Sequence, residues 1–151
     1  MIYSDMNIYA TCRRAAGMTQ ERAAELLGVA TRTLAAWESG ERIPSSLRVA
    51  DMVDLYATPV LAIQHLRLNS ALAPDLLPEV RQVPLAQAVC QLCSSIRHIT
   101  EAHAQDRLLE IAADGQVDEL ERPDFDALMD DLEPVIAAVL TLRCVREEVR
   151  G

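Results

Sequence analysis

The sequence predicts an all-α protein in two parts, and three observations carry that prediction. Apolar residues recur at intervals of three and four through most of the chain, the period of helices with one buried face. Half of the 151 residues are apolar but only 3% are aromatic, so the core must be aliphatic and alanine-rich, as between packed helices. Prolines at 74, 78 and 84 then interrupt the pattern and divide it into an N-terminal and a C-terminal block.

In the N-terminal block a first helix runs to about Ala16, capped by Ser4 or Asp5. It buries Ile8, Cys12 and Ala15 or Ala16, with Arg13 and Arg14 near its end. Gln20 to Ser39 is the stretch on which the rest is organised. Thr19 is a good N-cap, and Ala23, Ala24 and Leu27 share one face. Gly28 supplies the left-handed backbone that ends a helix without steric cost. Val29, Leu34 and Trp37 line one face of the next helix, which Gly40 ends. Glu41 to Pro44 form a loop, and Pro44 disfavours helix at Ile43. Ser45 or Ser46 caps a fourth helix to about Tyr56, burying Leu47, Ala50 and Val53 with Met52. Thr58-Pro59 starts a fifth helix, with proline at its first position, ending near Leu68.

Two short helices joined at a glycine have the spacing of a helix-turn-helix, whose second helix is built to enter a DNA major groove. The apolar pattern alone fits an ordinary helical hairpin equally well. Further residues separate the two readings. Gly17-Met18-Thr19-Gln20-Glu21, Ala24, Gly28-Val29, Thr33-Leu34, Trp37-Glu38-Ser39-Gly40 and Pro44-Ser45 resemble the Cro/repressor-type (Xre) DNA-binding domain. The resemblance runs from about Tyr9 to Leu68 without a gap inside the motif. It implies a five-helix, lambda-repressor-like domain over residues 1–68. It also implies roles: Gln20 bonds a phosphate and braces the recognition helix, while Thr31, Arg32 and Ala36 face base edges. Thr33, Arg42, Ser45 and Ser46 lie where backbone phosphates are contacted, and Arg13 with Glu38 matches a structural ion pair. Arg32 is the side chain able to contact guanine O6 and N7 together, and Thr31 can meet a thymine methyl. Ala35-Ala36 departs from the family, which often has longer polar residues there. That departure implies either modest specificity leaning on DNA shape, or a domain that binds protein instead.

Residues 69–84 read as a proline-rich linker in which short helical turns survive. Beyond it lies an acidic hairpin, residues 85–151. Its first helix runs from about Leu85 to Ala113, with Leu85, Val89, Leu92, Ile96, Ile99 and His103 in one stripe. Its second runs from about Asp124 to Val149. Phe125, Leu128, Leu132, Val135, Val139, Leu142 and Val149 form the stripe, widened by Met129, Ile136 and Leu140. Repeats near 3.5 residues suit nearly parallel helix axes. Pro134 kinks this helix, since a mid-helix proline costs roughly 3 kcal/mol. Stripes this wide exceed what two helices can cover, so residues 85–150 are expected to form a homodimer.

Charge is unevenly placed. Residues 1–70 carry seven arginines and seven carboxylates, whereas residues 71–151 carry seven arginines and sixteen carboxylates, which is the whole net charge of −9. A neutral head lacks the usual cationic footprint of a DNA binder. Weak, salt-sensitive binding by each head is therefore expected, and two-headed binding to offset it.

Other constellations are weaker. Cys90, Cys93, His98 and His103 fall on one predicted helix, which cannot curl round a tetrahedral zinc ion; buried thiols in the apolar stripe explain them. Glu110 to Glu121 has the outline of a calcium loop, but Ala112 offers no ligand at its third position. A C-cap at Gly115 and an N-cap at Asp118 account for the same residues. No nucleophile stands at a recognisable spacing from His65, His98 or His103, and there is no phosphate-cradling glycine loop. We expect no enzyme, metal or cofactor. Four cysteines without a targeting or membrane segment suggest a cytoplasmic location.

The reading is a sequence-specific transcriptional regulator of phage, prophage or bacterial origin, a repressor, binding double-stranded DNA as a homodimer on an inverted repeat. The competing reading is a protein-interaction module, an antirepressor or antitoxin-like adaptor, with a protein partner on the acidic hairpin. A third makes the hairpin a small-molecule sensor, whose sign would be an apolar cavity among its helices.

Overall fold

The computed structural model describes residues 7–145, which form nine α-helices and a turn of 3₁₀ helix, with no strand. The chain divides after Arg81 into two compact units.

The first unit contains α1 (Ile8–Ala15), α2 (Gln20–Leu27), α3 (Thr31–Glu38), α4 (Ser46–Tyr56), α5 (Val60–Asn69) and the single turn α6 (Ala73–Leu76). Its core joins Tyr9, Cys12, Ala23, Ala24, Leu27, Leu34, Trp37, Val49, Met52, Tyr56 and Leu61. The caps follow local chemistry. Thr19 accepts a hydrogen bond from the Arg22 amide, and Ser45 accepts one from the Arg48 amide. Gly28 ends α2 at φ +65°. At α1 the cap is Asn7, whose side chain accepts from the Tyr9 amide; Ser4 and Asp5 lie outside the described residues. Proline 59 occupies the cap position of α5 rather than its first helical position.

Two buried faces differ from expectation. In α1 the buried residues are Tyr9, Ala10, Cys12 and Arg13, while Ile8 is half-buried and Ala15 exposed. Cys12 is buried as expected, and Ile8 and Ala16 pack against the core; a hydrophobicity pattern does not count arginine as a core residue, so it omits Arg13. In α4 the buried residues are Val49, Met52 and Tyr56, with Leu47 74% exposed and Ala50 exposed. Strict three-residue spacing drifts about 60° per step round a helix, whereas the 3-4 spacing of Val49, Met52 and Tyr56 stays on one side. The proline-rich stretch after α5 is not extended throughout. Ala73 and Val80 are buried, and the Arg67 guanidinium donates to the Leu77 carbonyl.

The second unit is a hairpin of α7 (Leu85–Glu101) and α9 (Arg122–Arg143), with α8 (Ala104–Ile111) and the 3₁₀ turn (Ala112–Asp114) in the connection. The single helix expected over 85–113 is interrupted at His103, which adopts the left-handed conformation at φ 51°. Breaking there turns α8 so that Ala104 and Ile111 pack with Leu128, flanked by Ile99, Leu108 and Phe125. Burial, not a breaker residue, ends α7. Ile99 near the end of α7 thus meets Phe125 and Leu128 near the start of α9, so the two helices run antiparallel. Helix α9 continues through Pro134; Val149 lies outside the described residues. Gly115 caps the 3₁₀ turn at φ 80°, and Asp118 accepts from the Leu120 and Glu121 amides while Glu121 accepts from the Asp118 amide. That reciprocal pair is a capping box ahead of α9. Cys90 and Cys93 are exposed, contrary to the buried thiols expected; neither lies on the stripe that faces α9. Among the described residues no helix is long and apolar enough to cross a membrane.

Candidate nucleic-acid interface

Helices α2 and α3 cross at small residues. Ala23 and Ala24 are completely or almost completely buried, and Leu34 of α3 is fully buried. The turn between them closes with Val29 N donating to the Ala24 carbonyl at 3.0 Å. Full burial of a leucine side chain stabilises by about 1.5–3 kcal/mol, so Leu34 fixes which side of α3 faces inward. The opposite side is left to solvent.

A polar brace fixes the far end of α3. Arg13 of α1 forms a two-pronged pair with Glu38, Nε to Oε1 at 2.6 Å and Nη2 to Oε2 at 2.9 Å. Its remaining nitrogen, Nη1, donates to the Met18 carbonyl at 2.6 Å. Gln20 Nε2 donates to Glu38 Oε2 at 2.8 Å. Both side chains of the ion pair are almost wholly buried, 7% and 5% exposed. Burial by itself would raise the Glu38 carboxyl, but the hydrogen bonds from Arg13 and Gln20, with the arginine charge, outweigh it and hold the group below the usual carboxylate range. The same hydrogen bond to Glu38 raises Arg13 further. Burial, then the negative charge of Glu38, pushes the nearby Tyr56 phenol up to about 12. A second polar group ties α1 to α5: the Tyr9 hydroxyl meets His65 Nδ1 at 2.8 Å, and Asn69 Nδ2 donates to the His65 carbonyl at 3.0 Å. Burial lowers the His65 pKa.

The outward side of α3 carries the residues that the family resemblance singles out. Thr31 and Arg32 are exposed, and Thr33 and Ala36 are half-buried. Arg32, Thr33, Ala36, Glu41 and Arg42 line a cleft of about 390 Å³. Arg42 is held there by its own amide, which donates to the Ala36 carbonyl at 3.1 Å. Ser45 and Ser46 are exposed at the start of α4, but the Ser45 oxygen is also the helix cap. Gln20 is at the opposite end of the motif from Thr31 and Arg32, with its amide on Glu38.

Electrostatics of the head depend on where its arginines are spent. Arg13 is in the brace, Arg22 pairs with Glu25, and Arg48 pairs with Asp51. Arg32 and Arg42 are exposed and make no ion pair among the described residues. A head of zero net charge therefore still presents two guanidinium groups on one cleft. Glu41, beside them, escaped the sequence reading, because a loop carboxylate next to a glycine gives no periodic signal.

Comparison with known families agrees with this geometry. Residues 10–62 match the family described as "Helix-turn-helix", covering α2 to α4 and most of α1, and entering α5. Residues 10–62 are thus a helix-turn-helix domain of the Xre type, which supports a DNA-binding, regulatory role. No curated protein and no solved structure matches the chain significantly.

Proposed function

We propose that the protein is a sequence-specific transcriptional regulator, a repressor, which binds an inverted repeat as a homodimer through residues 85–150. The observation that carries this reading is the cleft on the outward side of α3, where Arg32 and Arg42, without an ion pair among the described residues, stand above a helix locked by the Arg13–Glu38–Gln20 brace. Arg32 reads guanine and Thr31 a thymine methyl, while Ala36 lets the helix approach base edges closely. Arg42, Thr33 and Ser46 hold phosphates, with the exposed amides at the start of α4 adding to Ser46. Ser45 contributes through its cap, and Gln20 through its grip on Glu38, with its remaining atoms toward a phosphate. Two heads on a two-fold dimer would meet half-sites about 34 Å apart. The domain division that goes with this reading is a head over 1–68, a linker over 69–84 and a dimerising hairpin beyond.

The test is selection from random-sequence duplexes at two salt concentrations, followed by titration of Arg32→Ala and Arg42→Ala. A palindromic motif should emerge. Arg32→Ala should lose about 1–3 kcal/mol at one base position, whereas Arg42→Ala should weaken all sequences alike. Binding that stays random, and indifferent to both substitutions, would move the assignment to the protein-interaction module.

One observation favours a second, compatible role as a small-molecule sensor. A cleft of about 590 Å³ opens in the hairpin unit, lined among others by Ile99, His103, Ala104, Leu108 and Leu132. A mainly apolar lining, with Thr100, His103, Gln105 and Asp106 as its polar groups, suits a hydrophobic ligand carrying a polar group. Ligand-induced change in DNA affinity, abolished by Leu108→Asp, would establish it.

A further inference from the structure

The hairpin buries only part of its apolar surface. Ala88 and Leu128 are fully buried, and Leu92, Ser95, Ile99, Leu132 and Val135 are half-buried, marking the sides on which α7 and α9 meet. Beside them Leu85, Val89 and Ile96 of α7 remain 59%, 43% and 47% exposed. On α9 Met129, Ile136 and Val139 remain 38%, 52% and 39% exposed. Val89 and Ile96 follow Ala88 and Ser95 by one residue, a rotation of about 100°. Met129 and Ile136 follow Leu128 and Val135 by the same rotation. In an antiparallel pair, equal rotations in the same sense bring both sets to the same side of the hairpin. The His98–Asp131 contact, 3.4 Å, is rotated in the other sense and marks the opposite, polar side.

We infer that this face, Leu85, Val89 and Ile96 with Met129, Ile136 and Val139, is the seat of a second copy of the chain, packed so that α7 of each copy lies on α9 of the other. The inference rests on the homodimer reading and specifies its surface and register. Two arguments name a second copy as the occupant. The first is area. Six residues of this size and exposure present on the order of 500 Å² of apolar surface, within the range of the largest patch on a monomer that is usually functional. Covering that face on two copies, with its margins, removes more than roughly 1,000 Å², enough for a specific interface.

The second is charge at matched height. The His98–Asp131 contact fixes the register of the hairpin, which places Ile96 and Arg97 level with Glu133 and Leu132. Arg97 and Glu133 stand on the two outer margins of the same face, so they point away from one another within one hairpin. Both are exposed, and neither makes an ion pair among the described residues. A two-fold axis parallel to the helices, lying in the interface, sets α7 of one copy over α9 of the other at equal height. Arg97 then meets the Glu133 of the second copy, twice per dimer. The axis perpendicular to the helices would put α7 on α7 and leave both groups unmatched.

Sedimentation equilibrium of the full chain tests this, with circular dichroism confirming that each variant stays helical. Wild-type protein should be dimeric. Val89→Asp and Ile136→Asp, substitutions at positions already exposed in the single copy, should each raise the dimer dissociation constant at least 100-fold with helicity unchanged. Arg97→Glu and Glu133→Arg should each weaken the dimer by roughly 2- to 30-fold, the range of two exposed pairs, and the combined variant should return to within about twofold of wild type. A wild-type chain that remains monomeric would overturn the homodimer reading itself. A dimer that survives both aspartates would overturn this face and leave homodimerisation standing. Failure of the charge exchange to restore affinity, with both aspartates disruptive, would overturn the register.

Discussion

The brace at the end of α3 gives the sharpest prediction. Glu38→Ala removes a carboxylate that accepts three hydrogen bonds, two from Arg13 and one from Gln20. Arg13 would remain almost wholly buried, with only the Met18 carbonyl as a partner. Stranding one member of a buried pair costs about 3–5 kcal/mol, a large fraction of the 5–15 kcal/mol that typically holds a domain together. The assay is built into the chain. Trp37 is its only tryptophan, 8% exposed in the core of the first unit, so urea titration followed by its fluorescence reports on the head alone. The combined variant Arg13→Met, Glu38→Leu should lose less than Glu38→Ala, because no charge is stranded, though Gln20 and the Met18 carbonyl lose a partner. A loss under 1 kcal/mol for Glu38→Ala, or a double variant worse than the two singles together, would refute this account.

Three further outcomes follow from local features. The buried His65 has a lowered pKa and Glu38 a lowered one, so both make the head less stable in acid. For His65 the stabilisation is full above the ordinary value of 6.5 and is lost as the pH falls through the lower folded value. For Glu38 it is full above 4.5 and is lost below that. The Trp37-detected urea midpoint should accordingly fall in two stages from pH 7.5 to 3.5, and His65→Gln should remove the upper one. His103→Gly should stabilise the hairpin by about 1 kcal/mol, read as a higher melting temperature by circular dichroism, because glycine relieves a left-handed residue. Gly28→Ala should destabilise the head by about 1 kcal/mol through backbone strain at φ +65°, since the added methyl meets nothing within 4 Å.

The helices and turns of the head were largely legible because their signals are local. Thr19, Gly28, Gly40 and Ser45 each act on their own backbone, and Ala24, Leu34 and Trp37 repeat at the helical period. What sequence periodicity misplaced were faces whose burial is decided by something distant. Arg13 is buried because Glu38 lies 25 residues away, and no apolar pattern contains that fact. Val49, Met52 and Tyr56 face the core with Val53 packed beside them, because α2 and α5 lie on that side, although Leu47 and Ala50 were equally apolar candidates. The break at His103 is of the same kind: no glycine or proline announces it, and it exists because Ala104 and Ile111 gain contact with Leu128. For the candidate interface, sequence supplied the residue types, and structure supplied the cleft that gathers Arg32, Thr33, Ala36 and Arg42 while engaging Gln20 elsewhere.

The distribution of charge leads to a quantitative expectation for DNA. Each phosphate neutralised by a cationic side chain contributes about −0.9 to the slope of log K against log salt on duplex DNA. Most arginines of the head are engaged: Arg13 in the brace, Arg14 through its charge on Glu38, Arg22 and Arg48 with carboxylates, and Arg67 on the Leu77 carbonyl. Arg32 is assigned to a base, which leaves Arg42 as the principal phosphate contact of each head, helped by neutral donors that release no counterions. Two heads should then give a slope of only about −2 to −4, shallow for a dimeric DNA binder. Arg42→Ala should reduce its magnitude by nearly 2, one contact per head, whereas Arg32→Ala should lower affinity for the selected site while changing the slope less. Filter-binding or fluorescence anisotropy titrations across 50–300 mM salt decide it. A slope steeper than about −6 would mean that the carboxylate-paired arginines exchange their partners for phosphates on binding, and that the free-arginine account of this face is wrong.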